Sequence, residues 1–434
     1  MIEIIQIIAI FIIFSFLLIL PINVTKKRDG ILQNNYHLLA YNLIINCNIL
    51  LTLSFLTIPL SLTIKLISSI YIILFFINYS KNLYKININS NIYIFFSIFF
   101  ILSINIANEI NLGWDAKYFY YNKALSFFED NTFSNLKNIN AYHFHPHFGS
   151  YLWAFFWKIS FLKNEYFGRL FYLFIYCFSL LKIINYFNYD KKKKLIIYII
   201  LILLSFKYSL FSGLQEILIF SFLILSSIFL FEIYNNKNIF LNLIFLLLVC
   251  NIIFWIKIEA IFYVIFLIVL LNLNKINLQL RTLSLLTLFF LIIFRIIVYK
   301  YYDFIINGQY ESYNLEYLKS IDLNIFLTKI ITITKFLIYY LIKNYLLIIS
   351  LISLFILRND KRIYFFKIFL LFNIIYLFSI YLFINKDAEY AVRTTMDRML
   401  FTISGFYIFV ILFFIKNSVI KKIKTHKNKY NFIE

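Results

Sequence analysis

Asp115 stands in the run Asn111-Leu112-Gly113-Trp114-Asp115-Ala116-Lys117-Tyr118, just after an apolar segment that ends near residue 107. A carboxylate at such an edge is partly stripped of water, and that desolvation tunes its proton affinity for work as a general base. On a helix, Asp115, Tyr118 and Asn122 share one face, being spaced i, i+3 and i+7, so Tyr118 would border whatever Asp115 acts on. The competing assignment makes Asp115 the N-cap of a helix over 116–128, a role aspartate fills well. Further on, Tyr142-His143-Phe144-His145-Pro146-His147-Phe148-Gly149 gathers three of the chain's five histidines. Pro146 biases His145 to an extended backbone, where alternate side chains share a side. His143, His145 and His147 therefore admit a divalent metal, since imidazoles suit such ions. They equally admit a packed aromatic interface that positions a substrate, and with no acidic partner in the local sequence the chemistry leans that way, so no cofactor is expected with certainty.

A third set of charges falls at the ends of apolar segments. Glu216 opens the segment 214–233, where the helix dipole favours a carboxylate. Lys257 and Glu259 sit in a break within 239–272; at i, i+2 they cannot pair on a regular helix, and ionisable groups at membrane depth are costly and usually face a functional cavity. Arg393 and Arg398 precede the last segment. Arginine suits bidentate phosphate binding, although lipid headgroups or the neighbouring Asp387, Glu389 and Asp397 would also engage them.

The elements that must position these residues are membrane-spanning helices. Of 434 residues, 62% are apolar and only 14% charged, with mean hydropathy +0.84, against roughly 25% charged in a soluble domain. Runs such as Ile2 to Ile22, Leu214 to Phe231 and Leu283 to Tyr299 are long enough for a hydrocarbon core of ~30 Å. They do not alternate apolar and polar, so a barrel is excluded. The net charge of +21 collects in short loops and the tail, as in Lys191-Lys192-Lys193-Lys194, which is the distribution of membrane topology and not of a nucleic-acid patch. Cys47, Cys177 and Cys250 lie singly in apolar runs and suggest neither a disulfide framework nor a thiolate site. The first run lacks a cleavage site and reads as a retained span.

Placing the Lys/Arg-rich loops in the cytoplasm predicts about 13 spans: 2–22, 39–58, 61–78, 92–107, 166–187, 195–207, 214–233, 239–254, 256–272, 283–299, 339–357, 363–384 and 399–416. The 239–272 stretch also reads as one tilted helix, and 323–338 reads as interfacial. The predicted fold is thus an all-α, polytopic transmembrane bundle forming a single integral membrane domain. It comprises N-terminal spans (1–107), an extracytoplasmic loop (108–165), the remaining spans (166–416) and a basic cytoplasmic tail (417–434). Segments 108–165, 207–216, 300–325 and 385–398 all emerge on the outer face. The first is too long for a connector, and its Ala116 to Phe128 portion has the pattern of a helix in the membrane interface.

The Gly-Trp-Asp115 run followed by Tyr118 and Ala124, and then the His-Pro turn, resemble the polyprenyl-phosphate-sugar-dependent GT-C glycosyltransferases. These include the protein O-mannosyltransferases and the lipid A aminoarabinose transferases. His145-Pro146-His147-Phe148-Gly149-Ser150 is similar to the His-Pro-Pro-Leu-Gly-Lys run of the former, departing at His147 and Ser150. Ile256-Lys257-Ile258-Glu259-Ala260 resembles a Lys-x-Glu-Gly element of bacterial membrane glycosyltransferases, with Ala260 for glycine, and Asp397-Arg398 is similar to their late arginine. The resemblance implies a bacterial-type inner-membrane enzyme of the cell envelope with its site facing outward. Asp115 would be the base, a polyprenyl-phosphate sugar the donor, and a lipid or glycan the acceptor. Tyr118, His143, His145, His147, Glu216, Lys257, Glu259, Arg393 and Arg398 would line the substrates, with a basic residue among Lys257, Arg393 and Arg398 on the leaving phosphate. A flippase or carrier, or a polymerase, of lipid-linked saccharides would share the polytopic, basic character. A carrier would place its ionisable residues mid-span along a path, whereas here they gather at one surface.

Overall fold

In a bilayer every backbone polar group must bond within its own segment, which leaves helices as the solution for these apolar runs. The computed structural model describes residues 2–21, 35–80, 90–108, 111–139, 145–273, 277–304, 323–383 and 388–430, and among them the regular structure is helical. In chain order the helices are α1 (Ile2–Ile19), α2 (Asn35–Phe55), α3 (Leu60–Ser80), α4 (Ser90–Asn108), a π-helical turn (Ala116–Tyr121) running into α5 (Asn122–Phe128), and α6 (Phe148–Ile159). There follow α7 (Tyr166–Tyr186), α8 (Lys191–Ser205), α9 (Glu216–Tyr234), α10 (Ile239–Phe254), α11 (Ala260–Leu273), α12 (Leu278–Tyr301), α13 (Leu323–Lys343), α14 (Tyr345–Ile356), α15 (Tyr364–Leu382) and α16 (Ala388–Tyr430).

Nine of the described helices are long and apolar enough to cross a membrane: α1, α2, α3, α7, α9, α12, α13, α15 and α16. The chain is an integral membrane protein built as a helical bundle. The other anticipated segments are helical too, but α4, α10, α11 and α14 are shorter, and α8 spends its first turn on the four lysines Lys191 to Lys194.

Three local expectations change. Segment 323–338, expected to lie in the interface, belongs to the 21-residue α13, whose apolar residues between Lys329 and Lys335 give it spanning hydropathy. The segment expected to span 339–357 is cut at Asn344, whose side chain accepts from the Leu347 N–H and so starts α14. Stretch 239–272, expected as the two segments 239–254 and 256–272, is two helices, broken at Trp255 to Glu259. Finally, 388–398 is not loop but the first turns of α16, where Glu389 and Arg393 pair at i, i+4 and support the helix.

The centre of the bundle is α7, buried over its whole span, together with α9. Close approach at two glycines fixes the contacts that matter for the site. A Cβ on Gly168 of α7 would collide with the Trp153 backbone of α6, and one on Gly405 of α16 would collide with the Phe220 carbonyl of α9. Above Gly405, Phe220 and Phe401 stack with centroids 4.7 Å apart. Helices α9 and α16 are therefore held near backbone contact, and the ends carrying Glu216 and Arg398 meet.

Candidate functional site

Asp115 lies in the first turn leading into the π-helix, with helical φ −62° and ψ −36° and no side-chain capping bond. Capping is therefore not its role. Its carboxylate is ion-paired with Arg398 of α16. The loop before it is fixed by the Gly113 N–H donating to the Ser212 carbonyl at 2.9 Å, while Tyr208 Oη donates to the Asn111 carbonyl at 3.0 Å. These bonds bind the start of the long outer segment to the segment preceding α9.

Arg398 is shared. Its guanidinium also reaches Glu216 Oε1 at 3.4 Å, and Glu216 in turn accepts from Lys257 Nζ at 2.9 Å. Lys257 lies 3.5 Å from Glu259 Oε1. Asp115, Arg398, Glu216, Lys257 and Glu259 thus form one continuous chain of opposite charges drawn from the outer segment, α16, the first residue of α9 and the α10–α11 break. Lys257 and Glu259 meet despite their i, i+2 spacing because the backbone there is not helical. Burial alone would strip the Lys257 proton, but Glu216 and Glu259 beside it outweigh that and hold the ammonium well above its usual range.

A narrow cleft with free space of about 20 Å³ opens on this chain, lined by Glu216, Lys257, Glu259, Arg398, Thr395 and Tyr263 among others. Two buried carboxylate oxygens there, Glu216 Oε2 and Glu259 Oε2, have no hydrogen-bond donor among the described residues. Buried acceptors are normally satisfied. The lining holds two carboxylates (Glu216, Glu259) and two cations (Arg398, Lys257), with Asp115 joined to it through Arg398, and the two unmet carboxylate oxygens suit a ligand that brings hydroxyl donors.

The remaining expected residues divide. Tyr118 is 44% exposed and packs at a tilt against Trp114 with centroids 5.1 Å apart, beside the chain of charges without joining it. Arg393 does not converge: it pairs with Glu389 and covers the Phe336 ring at 5.3 Å, because five residues of helix turn it away from the face that carries Arg398. Asp397 instead meets Lys207 at 2.5 Å, a second tie between α16 and the segment before α9. His143 lies outside the described residues, and among the described residues no group of His, Cys, Asp and Glu has metal-site geometry.

His145 stacks on Phe119 with centroids 5.1 Å apart, and its carbonyl accepts from Lys123 Nζ at 2.6 Å. His147 is buried among Phe55, Phe133 and Trp255, with Nε2 2.6 Å from Ser54 Oγ. Ser54 gives its proton to the Leu51 carbonyl, so His147 Nε2–H donates and the ring is neutral. Desolvation, reinforced by Lys123 and Arg295, holds both imidazoles well below their ordinary range. His147 is therefore an aromatic packing residue that seats the turn: the Phe148 N–H donates to the Trp255 carbonyl at 3.1 Å. At the neighbouring Gly149 a Cβ would strike the Gln215 side chain.

Three residues of this region escape the sequence. Tyr120 is buried, and its hydroxyl has no partner among the described residues; desolvation raises its proton affinity well above normal, while Lys257 pulls the other way and Glu216, Asp115 and Glu259 add to the rise. Lys123, read as part of the polar side of an interfacial helix, is fully buried, and Arg295 of α12 is 8% exposed. Comparison with family models, with curated proteins and with solved structures finds no match to this chain.

Proposed function

We propose that the chain is a membrane glycosyltransferase that moves a sugar from a polyprenyl-phosphate-linked donor to an acceptor hydroxyl, working on the outer face of a bacterial-type inner membrane. The observation that carries this reading is the chain of charges from Asp115 to Glu259 bordering a cleft with unsatisfied carboxylate oxygens. Sugar hydroxyls are the donors such oxygens require. In the reaction the acceptor O–H gives its proton to Asp115 and its oxygen forms the new bond at the anomeric carbon. The bond from that carbon to the phosphate oxygen breaks, polyprenyl phosphate leaves with the electron pair, and direct displacement inverts the centre. Arg398, in contact with Asp115, orients the carboxylate, and Glu216 and Lys257 hold Arg398 in turn. The outward placement rests on the opposite position of Lys191 to Lys194 and the other basic loops.

The test is transfer of radiolabelled sugar from a polyprenyl-phosphate donor pool in membranes. Asp115→Asn is expected to lower the rate by about 10²–10⁴-fold, the usual worth of a general base, with unchanged elution of the solubilised protein. Normal turnover in a well-folded Asp115→Asn variant would defeat the proposal.

A second reading, a carrier of lipid-linked saccharides, is favoured by one observation. At the other end of α9, Glu232 lies 3.6 Å from His37 Nε2, and Lys182, fully buried on α7, has no hydrogen-bond partner for its Nζ among the described residues. Against it, the polar side chains of α9 between the two charged ends, Ser221, Ser226 and Ser227, bond to carbonyls of their own helix. Transport that survives Asp115→Asn while labelled product never forms would select the carrier.

A further inference from the structure

Both cations of the cleft are already taken up by carboxylates, Lys257 by Glu216 and Glu259 and Arg398 by Asp115 and Glu216, so it is a poor place for a phosphate, yet a phosphate-linked donor needs one held nearby. Beside the cleft the balance reverses. Lys123 is fully buried on α5, and the bond found for it is to a neutral carbonyl, that of His145 at 2.6 Å. Arg295, also buried, lies over the rings of Phe254, Trp255 and Tyr299 at 5.2, 5.7 and 5.2 Å and donates to the Phe254 carbonyl at 3.4 Å; these partners are all neutral. Neither cation meets a carboxylate among the described residues. His145 and His147 lie in the same layer: the first offers its carbonyl to Lys123, and the second shares the Trp255 ring with Arg295, at 6.0 Å.

Burying a cation without a counter-charge is costly, and two such cations side by side compound the cost by repulsion. A bound anion would relieve both. Trp255 stands two residues before Lys257, at most about 7 Å along the backbone, so an anion over Arg295 lies within a sugar's length of the cleft. Lysine supplies a compact point charge and arginine a planar fork, the pair that phosphate oxygens use.

We infer that Lys123 and Arg295, with His145 at the rim, form an oxyanion site for a lipid phosphate, a diester in the donor and the monoester that leaves, distinct from the Asp115–Arg398–Glu216 chain. This rests on the glycosyltransferase reading for the source of the phosphate, the headgroup of the lipid donor. The groups facing Lys123 across this layer are Arg295, His145 and His147, and desolvation followed by the Arg295 charge lowers its pKa to about 7. The protonated form binds the anion, so affinity falls as pH rises through that value.

The experiment uses the full chain in detergent, with farnesyl phosphate and inorganic phosphate as separate probes in calorimetric titrations. Farnesyl phosphate is expected to bind, and to bind about tenfold or more weakly to Lys123→Met and to Arg295→Met, each of which removes a charge-assisted contact. Lys123→Arg is expected to stay within about threefold of the parent. Methionine removes a charge that lacks a counter-ion, so these variants are expected to elute as the parent does. Inorganic phosphate binding as tightly as farnesyl phosphate would keep the oxyanion site but overturn the lipid headgroup as its occupant. Sulfate, whose charge is constant between pH 6 and 8, is expected to bind more weakly as pH rises in the parent and with a flat profile in Lys123→Met. Failure of the parent to bind either phosphate, or binding by both methionine variants as tight as the parent's, overturns the site. Asp115→Asn is expected to bind farnesyl phosphate as the parent does. If Asp115→Asn still transfers sugar while Lys123→Met loses the probe, the glycosyltransferase reading fails and the oxyanion site stands.

Discussion

Replacing Glu216 with glutamine asks whether the chain of charges is one unit. Glu216 is 2% exposed and is the carboxylate that both Lys257 and Arg398 touch, at 2.9 and 3.4 Å. In Glu216→Gln, Arg398 keeps Asp115 and Lys257 keeps Glu259, but the link between the two pairs is lost and Lys257, 9% exposed, retains only the longer contact. Removing one partner of a buried pair costs about 3–5 kcal/mol. The amide oxygen still accepts one hydrogen bond, and each cation keeps another acid, so the expectation lies near the lower end, about 3 kcal/mol. The double variant Glu216→Gln/Lys257→Met removes the stranded cation as well and is expected to be less destabilised than Glu216→Gln alone. The assay is the midpoint of unfolding in mixed detergent and sodium dodecyl sulfate for the parent, both single variants and the double variant, read as a double-mutant cycle. Additive single effects, with the double variant the least stable of the set, would refute the reasoning, because they would mean that Lys257 does not depend on Glu216 for its charge.

Other substitutions test how the elements bring the site together. Gly405→Ala is expected to cost about 1–3 kcal/mol by overpacking and to lower sugar transfer, since Gly405 lies two turns from Arg398 on the same face and the new methyl forces α16 off the Phe220 carbonyl; unchanged stability would show that the two backbones are not in contact. Arg393→Ala, at an exposed pair with Glu389, is expected to change stability by less than about 1 kcal/mol and to leave transfer near normal, whereas Arg398→Ala is expected to abolish it; equal losses would put both arginines in the site. Acid is expected to destabilise the fold. The His147 imidazole is held well below its ordinary range, mainly by burial, so below about pH 6.5 the unfolded chain takes up a proton that the native ring refuses, and stability falls by about 1.4 kcal/mol per pH unit for that residue. His147→Phe is expected to flatten this slope in pH-dependent unfolding, and an unaltered slope would assign it to other groups.

Asp115, Glu216, Lys257, Glu259 and Arg398 were legible because each stands at an end or break of an apolar run, and ends on one side of a bilayer are necessarily neighbours. That rule places residues in a layer about one helix turn thick; it does not say which way a side chain points. Arg393 shares the layer with Arg398 and yet turns outward onto Glu389 and Phe336, a difference of helix rotation that only the packing of α16 at Gly405 decides. Asp115 was ambiguous for a related reason: a cap and a base occupy the same sequence position, and what separates them is an arginine 283 residues away.

Lys123 and Arg295 were illegible for the opposite reason. A lysine next to Asn122 reads as a solvated face, and an arginine inside 283–299 reads as an interruption of a span; Lys123 is buried because α5 folds in against α6 and the His145-Pro146-His147 turn carries its carbonyl to it, and Arg295 because α12 packs on the end of α10, with Phe254 and Trp255 beneath its guanidinium. Sequence patterns record where charge is tolerated, and burial without a carboxylate arises only once helices are assembled. The cleft, whose charges are paired, and the cationic layer beside it are therefore a pair that no single stretch of the chain displays. Under the proposed function, a donor with hydroxyls at one end and a phosphate at the other would span that pair in one direction, with its anomeric carbon between them and Asp115 reached through Arg398.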